Sequence, residues 1–454
     1  MTSQLEISDC TARMPDFWDR EVVFFANLYE IFFENHAKTA ALAEVVGPSR
    51  SYGGRFMPAL NLLYRGAHNL LVLEEAPSAA LCDYFARDLG LRLPEVLVMA
   101  ASDYPRLAQG AEEGSAQRIC KGLRTHLERT AAPGNQWIDG FVTDEELIQI
   151  AAQLGLPATT TPEGSRRGNN KLLIYEHLRD SGWPVIPTVL ADSPRAIAAC
   201  LEALGHQGFT HAVVKSQLGA SGIGLRKLNI ARDRRIDLPA YFFTEGPCMV
   251  QGWLQPGEKG LSETRSPSVQ FFLDDDRASI FDITEQLLTG RILHAGNQSP
   301  PPYLDSVPGL RALLMEQAGV AIRWLHTQGY RGFGGLDFLV AERSDGKAPD
   351  VYISEINARV TAATYPSILV RHLHPGSHWT LRNVDLYDGE GETEIIQTLR
   401  ENGHLFLPGH PGIIPLNFSV PREGVPGKGQ FLGVGEAGEV LLEKALARAA
   451  SIRA

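Results

Sequence analysis

Short hydrophobic runs alternate with amphipathic stretches over the first third of the chain. NLLVLEEAP and EVLVMAA read as buried strands that end in turn residues. Between them, SAALCDYFARDLG has helical spacing and a glycine stop. Strand and helix in alternation predict an α/β layer around a parallel sheet. RTAAPGNQWIDGF interrupts the pattern with Pro and Gly, and TDEELIQIAAQLGL then reads as a helix with Thr143 at its N-cap and acidic residues in its first turn. TTTPEGSRRGNN reads as a linker, which closes a first domain at residue 161.

Beyond it the pattern changes. KLLIYEHLRDSGWPVIPTVL predicts a helix ending near Gly182 and then an extended, Pro-bounded strand; SPRAIAACLEALGH predicts a further helix. VVKSQLGASGIGLRKL is strand, Gly/Ser loop, strand, and CMVQGWLQPG adds another strand. SVQFFLDDDRASIFDITEQLLTGRIL reads as antiparallel strands with turns at Asp274–Arg277 and at Thr289–Gly290. Its three aspartates read as a turn apex rather than metal ligands, because strands flank them closely. A long helix, GLRALLMEQAGVAIRWLHTQ, precedes two strands, GGLDFLVAE and DVYISEINARV, joined by RSDGKAP. The expected division is 1–161, 162–248 and 249–454, with an overall α/β, α+β class.

Composition narrows the function without naming it. The chain has 454 residues, 44% hydrophobic and 21% charged, with a formal charge of -11. That is globular, and argues against nucleic acid as the main partner. No basic-then-apolar leader opens the chain and no apolar run is long enough to span a bilayer, so no membrane partner and a cytoplasmic location are expected. Cys10, Cys82, Cys120, Cys200 and Cys248 are scattered, without C-x-x-C, and read as reduced thiols.

The chemistry gathers on the last strand pair. Centring the hairpin on Gly346 sets Asp337 opposite Glu355, where Cβ atoms lie about 4.5–5.5 Å apart. Like charges there repel unless a cation sits between them. Alternation puts Glu355, Asn357 and Arg359 on one face. Two carboxylates and an amide oxygen suit Mg²⁺, which keeps waters and shares phosphate oxygens. A solvated hairpin face is the plainer reading, and a register slip of one residue would restore it. Lys215 can supply a point charge to phosphates, and the Gly/Ser loop after it can close backbone N–H groups over them. It is neither of two familiar phosphate loops. A P-loop lysine follows the last glycine, and Gly219, Gly222 and Gly224 space as G-x-x-G-x-G. Gly433–Gly438 does fit G-x-G-x-x-G, but only sixteen residues follow it, so it reads as a turn before the last helix.

Lys215 with SQLGASGIG, then MVQGWL, then DFLV…SEINAR, in that order, resembles the ATP-grasp superfamily over Lys171 to Arg359. The resemblance implies an N-terminal α/β pre-ATP-grasp domain and a two-lobed grasp. It implies ATP contacts from Lys171, Lys215 and the loop residues Ser216, Gly219, Ser221 and Gly222. The Gln251 and Leu254 main chains would meet adenine and Glu258 the ribose. Asp337, Glu355 and Asn357 would bind Mg²⁺, and Arg359 would steady the carboxylate or the transferring phosphoryl group. Glu285, His294, Asn297 and Arg359 are candidate substrate residues, with structural roles equally open for Glu285, His294 and Asn297. Lys171 on its own would read as a surface lysine at a helix start, and Trp253 as core or pocket wall.

SEINARVTAATYPS and GNQSPPP are most similar to the pheganomycin-type peptide ligases of specialised metabolism. That implies ATP-driven joining of a small carboxylate to an amine or short peptide through an acyl phosphate, with ADP and phosphate as products. Transfer to a carrier-protein thiol and nucleotide binding without turnover are the alternatives. A homodimer is left open.

Overall fold

The computed structural model describes residues 5–11, 13–46, 52–111, 113–129, 134–233, 236–289, 293–386, 391–419 and 427–453. The expected α/β alternation builds a four-stranded parallel sheet in the order Glu95–Val98, Leu70–Leu73, Glu21–Phe25, Gln136–Gly140. All residues of Glu21–Phe25 are buried, as a central parallel strand covered on both faces requires. The helix that follows, Glu145–Leu154, starts one residue later than expected. Its cap is Asp144, whose side chain accepts from Leu147 N at 2.7 Å; Thr143 instead donates its N–H to Ser165 Oγ.

The stretch read as a linker is a helix, Pro162–Gly168, capped by Thr161 Oγ1. Its Pro sits in the first turn, where its missing N–H costs nothing. Its glycines provide closeness rather than freedom: a Cβ at Gly168 would come within 2.6 Å of Ala358 and Leu325. Asn170 then caps the Lys171–Asp180 helix by accepting from Leu172 N and Leu173 N, which fixes Lys171 at that helix's first position.

A second sheet is antiparallel, in the order Thr188–Ala191, Cys248–Gly252, His211–Ala220, Ile223–Asn229. Cys248–Gly252 is integral to it, so the division expected after residue 248 would cut a strand. Helix Ile197–His206 packs Ile197, Leu201 and Leu204 against Val214 and Val250.

The third sheet has ten strands. Pro267–Leu273 pairs with Arg277–Thr289 across a turn closed by Asp274 N to Arg277 O at 2.8 Å. The other expected turn, at Thr289–Gly290, runs into residues outside those described. Strand Glu6–Asp9 pairs in parallel with Arg277–Ile280, so these residues belong to this sheet and not to the N-terminal one. One core runs through both regions: Phe17 packs edge-on against Phe272, Phe281 and Phe333, and Phe56 against Tyr365. GVGEAG is not the expected turn: Gly433 and Val434 close the strand Gly427–Val434, and Gly435–Gly438 are already the first turn of the helix Gly435–Arg453, with Gly435 at φ +72 making the junction. All five cysteines are free thiols.

Candidate active site

Asp337 stands opposite Glu355 in the Gly332–Arg343 and Asp350–Asn357 pair. The register is irregular beside them: Phe338 pairs with Ile353, so Ser354 is bulged. Ser354 Oγ donates to Asp337 O at 3.0 Å and occupies the bulge. Asp337 also pairs with Ser268 on its other side, and Ser268 Oγ donates to Asp337 Oδ1 at 2.7 Å. Asn357 Nδ2 donates to Asp337 Oδ2 at 3.0 Å, which leaves the amide oxygen turned from Asp337.

Two lysines face this pair. Lys171 Nζ lies 2.8 Å from Glu355 Oε2 and donates to Gly219 O at 2.7 Å. Lys215 Nζ donates to Gln251 Oε1 at 2.8 Å, and Gln251 Nε2 donates to Thr188 Oγ1 at 3.0 Å. Burial pushes the Asp337 carboxyl up to about 7, and the adjacent Glu355 carboxylate adds to that push. Burial would raise Glu355 as well, but Lys171, Lys215 and Arg359 outweigh it and hold Glu355 below the usual carboxylate range. Burial lowers Lys215 to about 8; Lys171 lowers it further while Glu355 opposes.

These groups stand where two cavities meet. One, of about 380 Å³, lies between the second and third sheets. Ile186, Val213, Leu225, Leu254 and Phe338 give it apolar walls, and Lys171, Lys215, Gln251, Glu285, Asp337 and Glu355 its polar end. The other, of about 440 Å³, is lined by the turn residues Gly219 to Gly224, by His294, and at its far end by Arg55, Asn417 and Lys428. Lys171, Lys215 and Glu355 line both. An apolar slot with convergent polar groups at one end suits a planar base with a charged tail.

The expected Gly/Ser loop is mostly strand. His211–Ala220 runs through it and turns at Ser221–Gly222 into Ile223–Asn229. Lys215 is thus inside a strand and not at its end. The ladder goes from Lys215↔Leu225 directly to Ala220↔Ile223, so Ser216–Gly219 bulge opposite Gly224 alone. Gly224 has φ +79, and a side chain there would run into Ser216.

Several expected residues stand back from the cavities. Ser216 is buried and donates to Leu218 O at 2.6 Å. Glu258, expected at a ribose, is turned to Thr210 N at 3.1 Å and His211 Nδ1 at 3.3 Å, and lines neither cavity. Asn297 is buried and bonded to His294 Nε2 at 2.7 Å. Arg359 lies past the strand end, on Asn169 Oδ1, and reaches the site as a charge near Glu355. Glu285 does line the first cavity, where it accepts from Ser266 N at 3.0 Å and from the Tyr303 hydroxyl.

Ser268 and Arg55 were not anticipated. Ser268 is found only once three strands are in register, and Arg55, in GGRF, is brought in by the N-terminal layer.

Among the described residues no cluster of three or more His, Cys, Asp or Glu is placed to hold a metal. The donor set is two carboxylates and an amide oxygen. It fits a hard divalent cation, since a carboxyl pushed up to about 7 by burial and further by the carboxylate opposite it is short of positive charge.

No protein-family model matches the chain. It is 24% identical over 230 residues to the butirosin acyl-carrier protein–L-glutamate ligase of Niallia circulans, which covers 50% of this chain and 51% of that protein. The chain thus spans about half the length of that curated relative. Among solved structures it is similar to N5-carboxyaminoimidazole synthetase from Staphylococcus aureus complexed with ADP, with a TM-score of 0.52, 13% identity, and coverage of 96% of this chain and 98% of that one. It is similar to a biotin carboxylase–β,γ-ATP complex from Campylobacter jejuni, with a TM-score of 0.52, 15% identity, and coverage of 92% and 88%. It is also similar to the biotin carboxylase domain dimer of Hydrogenobacter thermophilus 2-oxoglutarate carboxylase with MgADP, with a TM-score of 0.51, 11% identity, and coverage of 91% and 86%. The fold is that of the ATP-grasp enzymes, a mixed α/β architecture with an N-terminal α/β layer ahead of the grasp.

Proposed function

We infer that this protein is an ATP-dependent ligase that activates a carboxylate as an acyl phosphate and joins it to a nucleophile, amide formation with an amine being the reading we favour. The observation that carries it is the meeting of two cavities at Lys171, Lys215 and Glu355. ATP takes the apolar slot, with adenine against Leu254 and the outer phosphates at the two lysines. The acid takes the second cavity, with its carboxylate at the same junction.

Phosphoryl transfer needs positioning and charge neutralisation more than a protein nucleophile. A carboxylate oxygen attacks the γ-phosphorus, the bond to the β,γ-bridging oxygen breaks, and ADP leaves. The amine nitrogen then attacks the acyl carbon, the C–O bond to phosphate breaks, and phosphate departs with the original carboxylate oxygen while the nitrogen loses a proton. Lys215, lowered by burial, regains full charge beside a phosphate anion. Lys171 holds Glu355 and the Gly219 carbonyl together, which fixes the turn at the phosphate end. Arg359 keeps Glu355 ionised. Asp337, Glu355 and Asn357 would hold Mg²⁺, which when bound supplies charge neutralisation for the outer phosphates.

A second reading is transfer of the acyl group to a carrier-protein thiol. It is favoured by the likeness to a ligase named for an acyl-carrier protein and glutamate. Specialised metabolism, as peptide or antibiotic assembly, is the setting we propose from both likenesses; a homodimer is the assembly we propose, as described for the Hydrogenobacter domain. No helix among the described residues is long and apolar enough to cross a membrane.

The test is a product assay over amino acids and related acids, each offered with amines and with a carrier protein. Expected products are ADP and phosphate, one heavy-oxygen label passing from the acid carboxylate into phosphate, and a hydroxamate when hydroxylamine replaces the amine. AMP and pyrophosphate as products would overturn the mechanism. Acylated carrier protein without amide would move the favoured reading to the thiol.

A further inference from the structure

Residues Ser216–Gly219 have no cross-strand partner except Gly224. A bulged backbone presents carbonyls that must find donors elsewhere. Two of them find lysines, from different regions of the chain. Lys171 Nζ holds Gly219 O, and Lys38 Nζ donates to Leu218 O at 2.7 Å.

Lys38 comes from the His36–Val46 helix of the N-terminal region and is wholly buried. Its ammonium also meets both oxygens of Glu245, at 2.9 and 2.7 Å. Glu245 Oε1 takes a second bond from Asn35 Nδ2 at 2.7 Å, so the helix start and the lysine grip one carboxylate. Burying an ammonium is costly unless all its bonds are made. Every acceptor of this one belongs to the second sheet's lobe. The same segment is tied again by Gln217 Nε2 to Pro247 O at 3.1 Å and by Asn170 Nδ2 to Gln217 Oε1 at 2.9 Å. A plain structural ion pair would need Glu245 alone. The bond to Leu218 O reaches the bulge, and the next carbonyl along is the one held by Lys171, which itself holds Glu355.

We propose that Lys38 is a positioning residue: from the N-terminal layer it holds the Ser216–Gly219 bulge, and so sets the Ala220–Ile223 turn over the outer phosphates. The role at phosphate rests on the nucleotide reading above. Without Lys38 the hairpin spends part of its time displaced, and apparent nucleotide affinity falls by the fraction correctly placed. The phosphoryl transfer itself, once the turn is in place, is little changed.

Three variants of the full chain separate positioning from stability. Lys38→Met leaves the partly buried Glu245 with one donor, and should lower stability. Lys38→Met with Glu245→Gln removes both charges and should recover most of that loss, yet nothing replaces the charged donor to Leu218 O, which keeps only the Ser216 hydroxyl from within the bulge itself. Glu245→Gln alone keeps that donor. Hydrogen exchange of the 216–224 amides is read without nucleotide, each variant well below its own melting midpoint. Exchange should quicken about tenfold in both Lys38 variants, the scale of one charge-assisted bond, and stay near wild type in Glu245→Gln. KM for ATP should rise about tenfold in the double variant, with kcat within about threefold. Unchanged exchange in the double variant, or a KM that recovers along with stability, would overturn the proposal. If the wild-type protein turns over no ATP with any acid, the ligase reading falls, while the exchange rates still decide whether Lys38 positions the hairpin.

Discussion

Among the buried and partly buried carboxyls of the described residues, two groups have surroundings that differ in kind. In the N-terminal layer the nearest donors are neutral: Tyr64 OH donates to Asp139 Oδ2 at 2.5 Å, and Tyr104 OH to Asp144 Oδ1 at 2.8 Å. Burial pushes both carboxyls up to about 6, the hydroxyl bonds holding them from rising further. In the Asp337–Glu355 pair the surroundings are ionic, with two lysines and an arginine around one carboxylate and a second carboxylate directly opposite. The first arrangement needs no cation, since a buried carboxyl that tends to neutrality needs only hydrogen bonds, and Asp144 Oδ2, which finds no partner, is the atom a proton would occupy. The second assembles more charge than a fold needs, and costly buried charge is kept where a charged ligand uses it.

The largest test of that contrast is catalytic. Glu355→Gln and Asp337→Asn should each cut ADP formation by about 10²–10³-fold, the scale of one lost electrostatic group at a phosphoryl-transfer site. Asp139→Asn should leave it within a few-fold. If Asp139→Asn slows turnover as much as Glu355→Gln while the protein stays folded, the contrast is not one of structure against function.

The opposed acidic pair and the two lysines beside it could be read from residue order. The hairpin strands alternate clearly, and a cluster of Asp, Glu, Asn and Lys on strands has few structural uses. The opposition of Asp337 and Glu355 was obtained by centring on Gly346, and the turn does not obey that centring. Pairs nearer the turn, such as Val340↔Val351, are offset by one residue, and the Ser354 bulge restores the register at the acidic pair. A bulge has no residue-type signature here. Ser216 and Glu258 show a different limit. Side-chain direction in a bulge or after a strand depends on backbone geometry that spacing does not carry, so Ser216 turns to Leu218 O and Glu258 to Thr210. The PEGSRRG helix shows a third: Gly and Pro signal a break when they serve flexibility, but Gly168 is there so that Ala358 can come close.

Acid titration sharpens the comparison next. Asp139 and Asp144 have folded values near 6 against about 3.8 when exposed. Between those values the native state holds more protons than the unfolded chain, so stability falls as pH rises from about 4 through about 6. Each of these rises corresponds to a loss of at most about 3 kcal/mol, reduced by relaxation and water entry around the ionised carboxyl. Urea midpoints across that range should show the slope, and Asp139→Asn should flatten it. Arg20 and Glu146 also act on this region, Arg20 favouring the charged form of Asp139 and Glu146 opposing that of Asp144. A stability that rises over this window would show that ionic partners, not neutral hydroxyls, dominate the N-terminal layer.

Tyr104→Phe probes the same layer more gently. It removes one donor to Asp144, which keeps the Leu147 N–H at 2.7 Å. The cost should be about 1 kcal/mol in denaturant unfolding, with ATP turnover unaffected.

The smallest expected effect has the most informative sign. In Mg²⁺-free buffer at pH 8, Asp337 is ionised opposite Glu355. Its folded value near 7 lies above the exposed one, so the native state gives up stability as pH rises from about 4 through about 7. Asp337→Asn removes that repulsion. Its amide oxygen can still accept from Ser268 Oγ, although the second acceptor for Asn357 Nδ2 is lost. The balance should favour the variant by up to about 1 kcal/mol. The advantage should fade at pH 6, where the wild-type carboxyl is mostly protonated. Added Mg²⁺ should reverse the order, because a cation that binds only the native state stabilises the intact pair and not the variant. Thermal midpoints of the two proteins should therefore cross between Mg²⁺-free and Mg²⁺-saturated buffer. A variant that is less stable in both buffers would mean that the opposed carboxylates are held by hydrogen bonds alone, as in the N-terminal layer, and the site would have no special need of a cation.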